Sequence, residues 1–146
     1  MQVMIAGVIP MVDARGDVMD RSEAVTLFND MCLLAPATLL DPAIAWEPVA
    51  ARSVRARFID GRQTISTTLL FGDGALLTNF ISDDRSRSSR DGKTFTRLRF
   101  STPMRDYRDF GSARLGGHGA TRWMLPEGEF TYGEFDLQEV TYNVRR

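Results

Sequence analysis

Few side chains in this sequence are of the kinds that do chemistry near neutral pH. The chain holds one histidine, His118, in Gly116-Gly117-His118-Gly119. Histidine is the commonest general base and metal ligand. The glycines around it precede no helix pattern, so the run is not a phosphate loop. A bent strand or a surface turn is the ordinary reading. No second His or Cys stands at ligand spacing, which argues against zinc. Asp83-Asp84-Arg85 follows an apolar strand pattern and opens a polar stretch. It could be an acid/base pair or a ligand clamp, against the ordinary reading of a solvated loop. A small enzyme built on Asp83, Asp84 and His118 requires at least two of them to converge in one pocket.

The remaining candidates are weaker. Asp106-Tyr107-Arg108-Asp109 reads as a strand whose charges are explained equally well by cross-strand pairing with Arg97 or Arg99. Glu127, Glu129 and Glu134 cluster near the last turn, but paired carboxylates do acid/base work only when burial shifts one of them. Ser112 lacks the strand–turn–helix setting of a nucleophile elbow. The single cysteine, Cys32, lies among apolar residues on a helical pattern and reads as a buried thiol. It shows no basic neighbour that would activate it. No cofactor motif is present.

These residues must be carried by elements that the pattern defines. A helix is expected over about Asp20–Leu34, with Asp20 and Glu23 as a variant capping box. Ala24, Val25, Leu27, Phe28, Met31, Cys32 and Leu34 recur at helical spacing. After Pro42 the period becomes two. Strands are expected at Ile44–Val49 (an edge, by Pro48), around Val54–Phe58, at Thr64–Phe71 and at Ala75–Ile81. Asp60-Gly61 marks a hairpin. Ser82 to Lys93 reads as a polar loop. Further strands follow at Thr94–Phe100, at Met104–Phe110 with Pro103 as an interruption, and at Ala113–Leu125, which Gly116, Gly117 and Gly119 would break by a bulge or bend. The last runs from Tyr132 to Val144, with a bulge between Leu137 and Val140. Met1 to Val12 reads as one more strand rather than a signal peptide, because no Lys or Arg precedes the apolar stretch.

The fold class is therefore mainly β (α+β): a curved antiparallel meander or half-barrel wrapped around one N-terminal amphipathic helix. One helix cannot cover so many strands if the sheet stays flat. The 146 residues make one domain (1–146). Apolar residues are 43% and charged residues 25%, which excludes wholesale disorder. A net charge of −1 argues against nucleic acid as a partner. No apolar run is long enough to span a membrane, and a cytoplasmic location follows as the expectation.

Several segments are similar to an uncharacterised family of bacterial domains of unknown function. They are Thr26–Leu39, Ile44–Val49, Phe80–Arg85, Thr102–Arg108 and Leu125–Gly133. The resemblance spans nearly the whole chain and implies that this is the C-terminal part of a longer β domain. It carries over no catalytic residues. By topology, and by the hairpin from Tyr107 to Trp123, the chain also resembles the LolA-type lipoprotein carriers, which hold acyl chains in a curved sheet.

The leading expectation is a non-enzymatic binding module for an apolar or lipid-like small molecule in the concave face. Leu27, Phe28 and Met31 of the helix would line it, with Trp46, Trp123 and Tyr107 from the sheet. Ordinary core packing is the competing account of those six residues. The alternatives are the Asp/His enzyme and an interaction domain, the latter a homodimer through the N-terminal strand.

Overall fold

The computed structural model describes residues 2–5, 9–13 and 16–143. In chain order the elements are β1 (Gln2–Ile5), β2 (Ile9–Asp13), α1 (Asp17–Leu34), a 3-10 helix (Pro36–Leu40), β3 (Ile44–Ala50), β4 (Ser53–Asp60) and β5 (Gln63–Phe71). Then come a 3-10 turn (Asp73–Ala75), β6 (Leu77–Ser82), β7 (Ser86–Ser88), β8 (Phe95–Arg97), β9 (Phe100–Asp109), β10 (Arg114–Leu125) and β11 (Gly128–Asp136). Seven strands form one antiparallel sheet in the order β11-β10-β9-β6-β5-β4-β3. The sheet is a meander, interrupted only where β7 and β8 leave it as a two-stranded arm between β6 and β9. It does not close: β11 and β3 are free edges.

The period-two pattern works because one face of each strand is buried. Ala56 and Phe58 of β4, Ile65, Thr67 and Leu69 of β5, Phe80 of β6, and Phe100, Thr102 and Met104 of β9 all point inward. Helix α1 lies against this face with Val25, Phe28, Asn29, Cys32 and Leu33 buried. Phe28 stacks on Phe58 (ring centroids 4.9 Å apart) and meets Phe80 edge-on at 6.1 Å. Aromatic contact continues from Phe80 to Phe100 (6.4 Å), Trp123 (5.5 Å) and Tyr132 (5.9 Å), and from Phe28 to Trp46 at the other edge (6.3 Å). One file of rings thus crosses the concave face from β3 to β11. A single helical residue reaches three strands in this way only because the sheet curves around it.

The ends of α1 are held by polar contacts. Arg21 donates to Thr64 O (3.4 Å) and Asp84 Oδ1 (3.3 Å), and Ser22 Oγ accepts from Ser86 N (3.1 Å). At the far end the Tyr142 hydroxyl donates to Leu34 O.

Several expectations are corrected. The helix starts at Asp17, three residues early, behind Gly16 at φ +106°, and no Asp20 capping box forms. Only a glycine takes that angle without strain, so the backbone itself starts the helix. Parts of the expected first strand, Met1 and residues 6–8, lie outside the described residues. The described parts are two strands, β1 and β2, paired with each other rather than left as one orphan edge. The polar stretch after Ser82 is not all loop: Ser86–Ser88 pairs with Phe95–Arg97. Strand β9 runs through Pro103, which pairs with Asn79 at the edge of the β6–β9 ladder. The last strand ends at Asp136, and its register shift falls at Thr121/Arg122 instead of after Leu137. Val144 lies outside the described residues.

The glycines of β10 do not break it. Register with β9 runs unshifted from Arg114 to Trp123. They make room instead. A Cβ at Gly117 would stand 2.7 Å from Asp106 O and 2.9 Å from Arg108 Nε, and one at Gly119 would strike Phe135 and Met104.

Cys32 is buried and unpaired, as its surroundings in the sequence implied. Burial pushes its thiol from the ordinary 9.0 up to about 12. Between those values the unfolded chain loses the proton while the folded chain keeps it. Stability should therefore fall as pH rises from about 9 towards 12, and Cys32→Ala should flatten part of that fall in urea titrations at successive pH values. Phe28→Ala should cost about 3–5 kcal/mol, measured as a lower urea midpoint at unchanged slope.

Candidate functional site

Three surfaces gather the side chains that could act. The first is the sheet end where β5 begins and β6 finishes. Asp84 is 7% exposed. Its carboxylate accepts from Ser66 N at 2.7 Å and from Arg21 and Arg97. Neighbouring Asp83 faces outward and accepts both donors of Arg99, at 2.8 and 3.0 Å. That bidentate pairing holds the Asp83 carboxyl below its ordinary value, against a smaller opposing effect of desolvation. Asp83 is therefore a poor proton acceptor near neutrality. Asp84 has its oxygens occupied by three donors and acts as a clasp between α1, β5 and β8.

His118 is elsewhere. It points outward from β10, and its Nδ1 lies 2.8 Å from Asp136 Oδ1 of β11. His118 pairs in register with Arg105, whereas Asp83 is tied to Arg99. Arg99, just before β9, and Arg105 within it are six positions apart, about 20 Å at a strand rise of about 3.4 Å per residue. The geometry joins Asp83 to Asp84 but leaves His118 apart from both. Among the described residues no Ser, Thr or Cys side chain hydrogen-bonds His118, and no group of three or more His, Cys, Asp or Glu could hold a metal.

The second surface is an apolar cleft of about 170 Å³ at the C-terminal end of α1, lined by Cys32, Leu33, Leu69, Leu77, Tyr107 and Leu115 among others. The Tyr107 hydroxyl donates to Leu77 O at 2.8 Å. Burial raises its pKa, against the smaller effect of that hydrogen bond. This cleft is below the usual volume of small-molecule sites, roughly 300–1,000 Å³.

The third surface is a cleft of about 320 Å³ between the N-terminal half of α1, the arm strand β7 and the β10–β11 hairpin. Its base is aromatic. The Arg85 guanidinium lies 4.2 Å from the Phe100 ring centroid and 5.3 Å from that of Trp123. Its Nη1 donates to the Tyr132 hydroxyl at 2.8 Å. Arg87 lies 5.8 Å from the Phe130 ring centroid. Phe130 and Tyr132 are each 43% exposed, while Trp123 is buried beneath them. Among the described residues no carboxylate lies within ion-pair distance of Arg85. A half-buried guanidinium, stacked and with donors to spare, is an anion handle; Glu23 and the hydroxyls of Ser22, Thr26, Ser86 and Ser88 line the cleft beside the aromatic base.

The six apolar residues expected to line a concave cavity are divided by the structure. Phe28 is wholly buried, and Met31 is half-buried at the rim of the core. Leu27 faces away from the sheet and is 46% exposed. Trp46 lies at the β3 edge and Tyr107 in the small second cleft. Trp123 alone of the six lines the third cleft. The residues that define that cleft chemically, Arg85 and Arg87, carry no signal in the sequence beyond the Asp83-Asp84-Arg85 junction and the arginines of the polar stretch.

No helix of the described residues is long and apolar enough to cross a membrane. No curated protein and no solved structure matches the chain, and the expected likeness to LolA-type carriers is not shown. The model of a family of unknown function, DUF6544, matches residues 1–135 of the 146, and the chain belongs to that family.

Proposed function

We propose that this protein is a non-enzymatic binding module for an amphipathic, lipid-like small acid, held in the cleft between α1 and the β10–β11 hairpin. The observation that carries the reading is Arg85: a guanidinium stacked on Phe100 and Trp123, with one side-chain hydrogen bond and, among the described residues, no carboxylate within ion-pair distance, Asp30 feeling its charge only from further off. An anionic head would take the free donors of Arg85. The apolar body would lie over Trp123, Phe130 and Tyr132. The centre of the concave face supports no such role, because Phe28, Phe80 and Phe100 fill it. A volume of about 320 Å³ suits a short acyl chain or a fused ring system.

The test uses a Trp46→Phe background, so that Trp123 is the sole tryptophan. Titration with decanoate should change Trp123 emission saturably. Arg85→Ala should weaken decanoate about tenfold or more, the size of a lost charge-assisted hydrogen bond. Decanol, which lacks the charge, should bind weakly to both forms. Arg85→Lys keeps the charge without the stacking and should fall between. Unchanged emission, or equal decanoate affinity with and without Arg85, would contradict the reading.

A further inference from the structure

A second site is carried by the outward face of the sheet, opposite the cleft of Arg85. There the register sets polar side chains in rows across four strands. Arg57 of β4 pairs with Ser66 of β5. Continuing the β5–β6 register one residue beyond Thr67 and Ser82 sets Ser66 opposite Asp83, and Asp83 holds Arg99. The neighbouring row begins with Arg55 opposite Thr68. Arg21 of α1 and Arg97 of β8 close the end of the same groove through their shared partner Asp84. The groove measures about 700 Å³.

Its charge is unlike that of the whole protein. Five arginines and two aspartates line it, 5 − 2 = +3, whereas the chain carries −1. Both aspartates are already matched, Asp83 by Arg99 and Asp84 by Arg21 and Arg97. Arg55 meets only Glu47, and among the described residues Arg57 has no carboxylate within ion-pair distance. With Glu47 set against Arg55, the surplus positive charge rests on Arg57, beside the hydroxyls of Thr64 and Thr68, and on the two arginines that share Asp84.

We infer that this groove binds a phosphoryl group of at least two negative charges carried by a small molecule, with Arg57 as the principal contact and Arg55 beside it. Arginine presents a planar fork of donors that matches phosphate oxygens. A groove closed at one end by the arm and α1, on a chain with no overall basic excess, fits a small ligand better than a polymer.

The test is calorimetric titration with inorganic pyrophosphate at low salt, with sodium sulfate of equal ionic strength as the control. Pyrophosphate should bind saturably and more tightly than sulfate. Arg57→Ala, an exposed strand position, should weaken it about tenfold, whereas Arg85→Ala in the other cleft should leave it unchanged. Vesicles of phosphatidylcholine with and without phosphatidic acid separate the two sources of such a group. Binding only to phosphatidic acid vesicles, lost in Arg57→Ala, would support the same chemistry on a lipid headgroup. No binding to either, pyrophosphate binding no tighter than sulfate, or binding indifferent to Arg57→Ala would overturn the inference. Loss in Arg85→Ala with no loss in Arg57→Ala would place the phosphate in the aromatic cleft and overturn it equally.

Discussion

The stacking of Phe28 on Phe58 is the contact on which the arrangement rests. An open sheet must cover one apolar face, and here a single helix is offered for seven strands. Strands lie about 4.8 Å apart, so seven span roughly 29 Å. A helix with its side chains is about 10 Å across. Cover is achieved because the sheet bends towards α1 and because Phe28 of the helix joins a file of aromatic side chains that the strands send out towards both edges. Phe28 is the centre of that file, wholly buried between the helix and the sheet. The polar contacts at both ends of α1 fix where along the strands the ring sits.

The same mismatch of widths produces the cleft. Helix α1 lies over β5 and β6 and reaches β10, but β11 extends past it as a free edge. Trp123 is covered by Tyr132, and Tyr132 and Phe130 remain half in water. Arg85 fills the gap between helix and hairpin with a side chain that is flat, apolar on its faces and charged at its rim. That is the chemistry of a boundary between core and solvent. It leaves an apolar shelf beside a cation, a pairing that a wholly apolar filler such as Leu would not create.

The architecture was largely legible in the sequence. The change from helical to period-two spacing after Pro42, the Asp60-Gly61 turn and the edge proline Pro48 each map onto observed elements. What was not legible depended on partners distant in the chain. Gly116, Gly117 and Gly119 read as breaks, because a glycine that admits a neighbour's side chain looks the same in sequence as one that bends a strand. Here Arg108, Met104 and Phe135 occupy the space. The arm of β7 and β8 is too short and too polar to show alternation. Asp83 and Asp84 lie near each other in space, but His118 is set apart by strand register, which single-chain spacing does not reveal. The meeting of Arg21, Arg57, Arg97 and Arg99 is likewise a product of topology.

The central claim is that ligand occupies the shelf beside Arg85 and not the interior or the far apolar cleft. Backbone amide chemical-shift mapping with decanoate tests it most directly. The account predicts shifts concentrated at Ser22–Thr26, Arg85–Ser88, Trp123 and Phe130–Tyr132. Shifts centred instead on Cys32, Leu39, Tyr107 and Leu115, or no shifts at saturating decanoate, would contradict it.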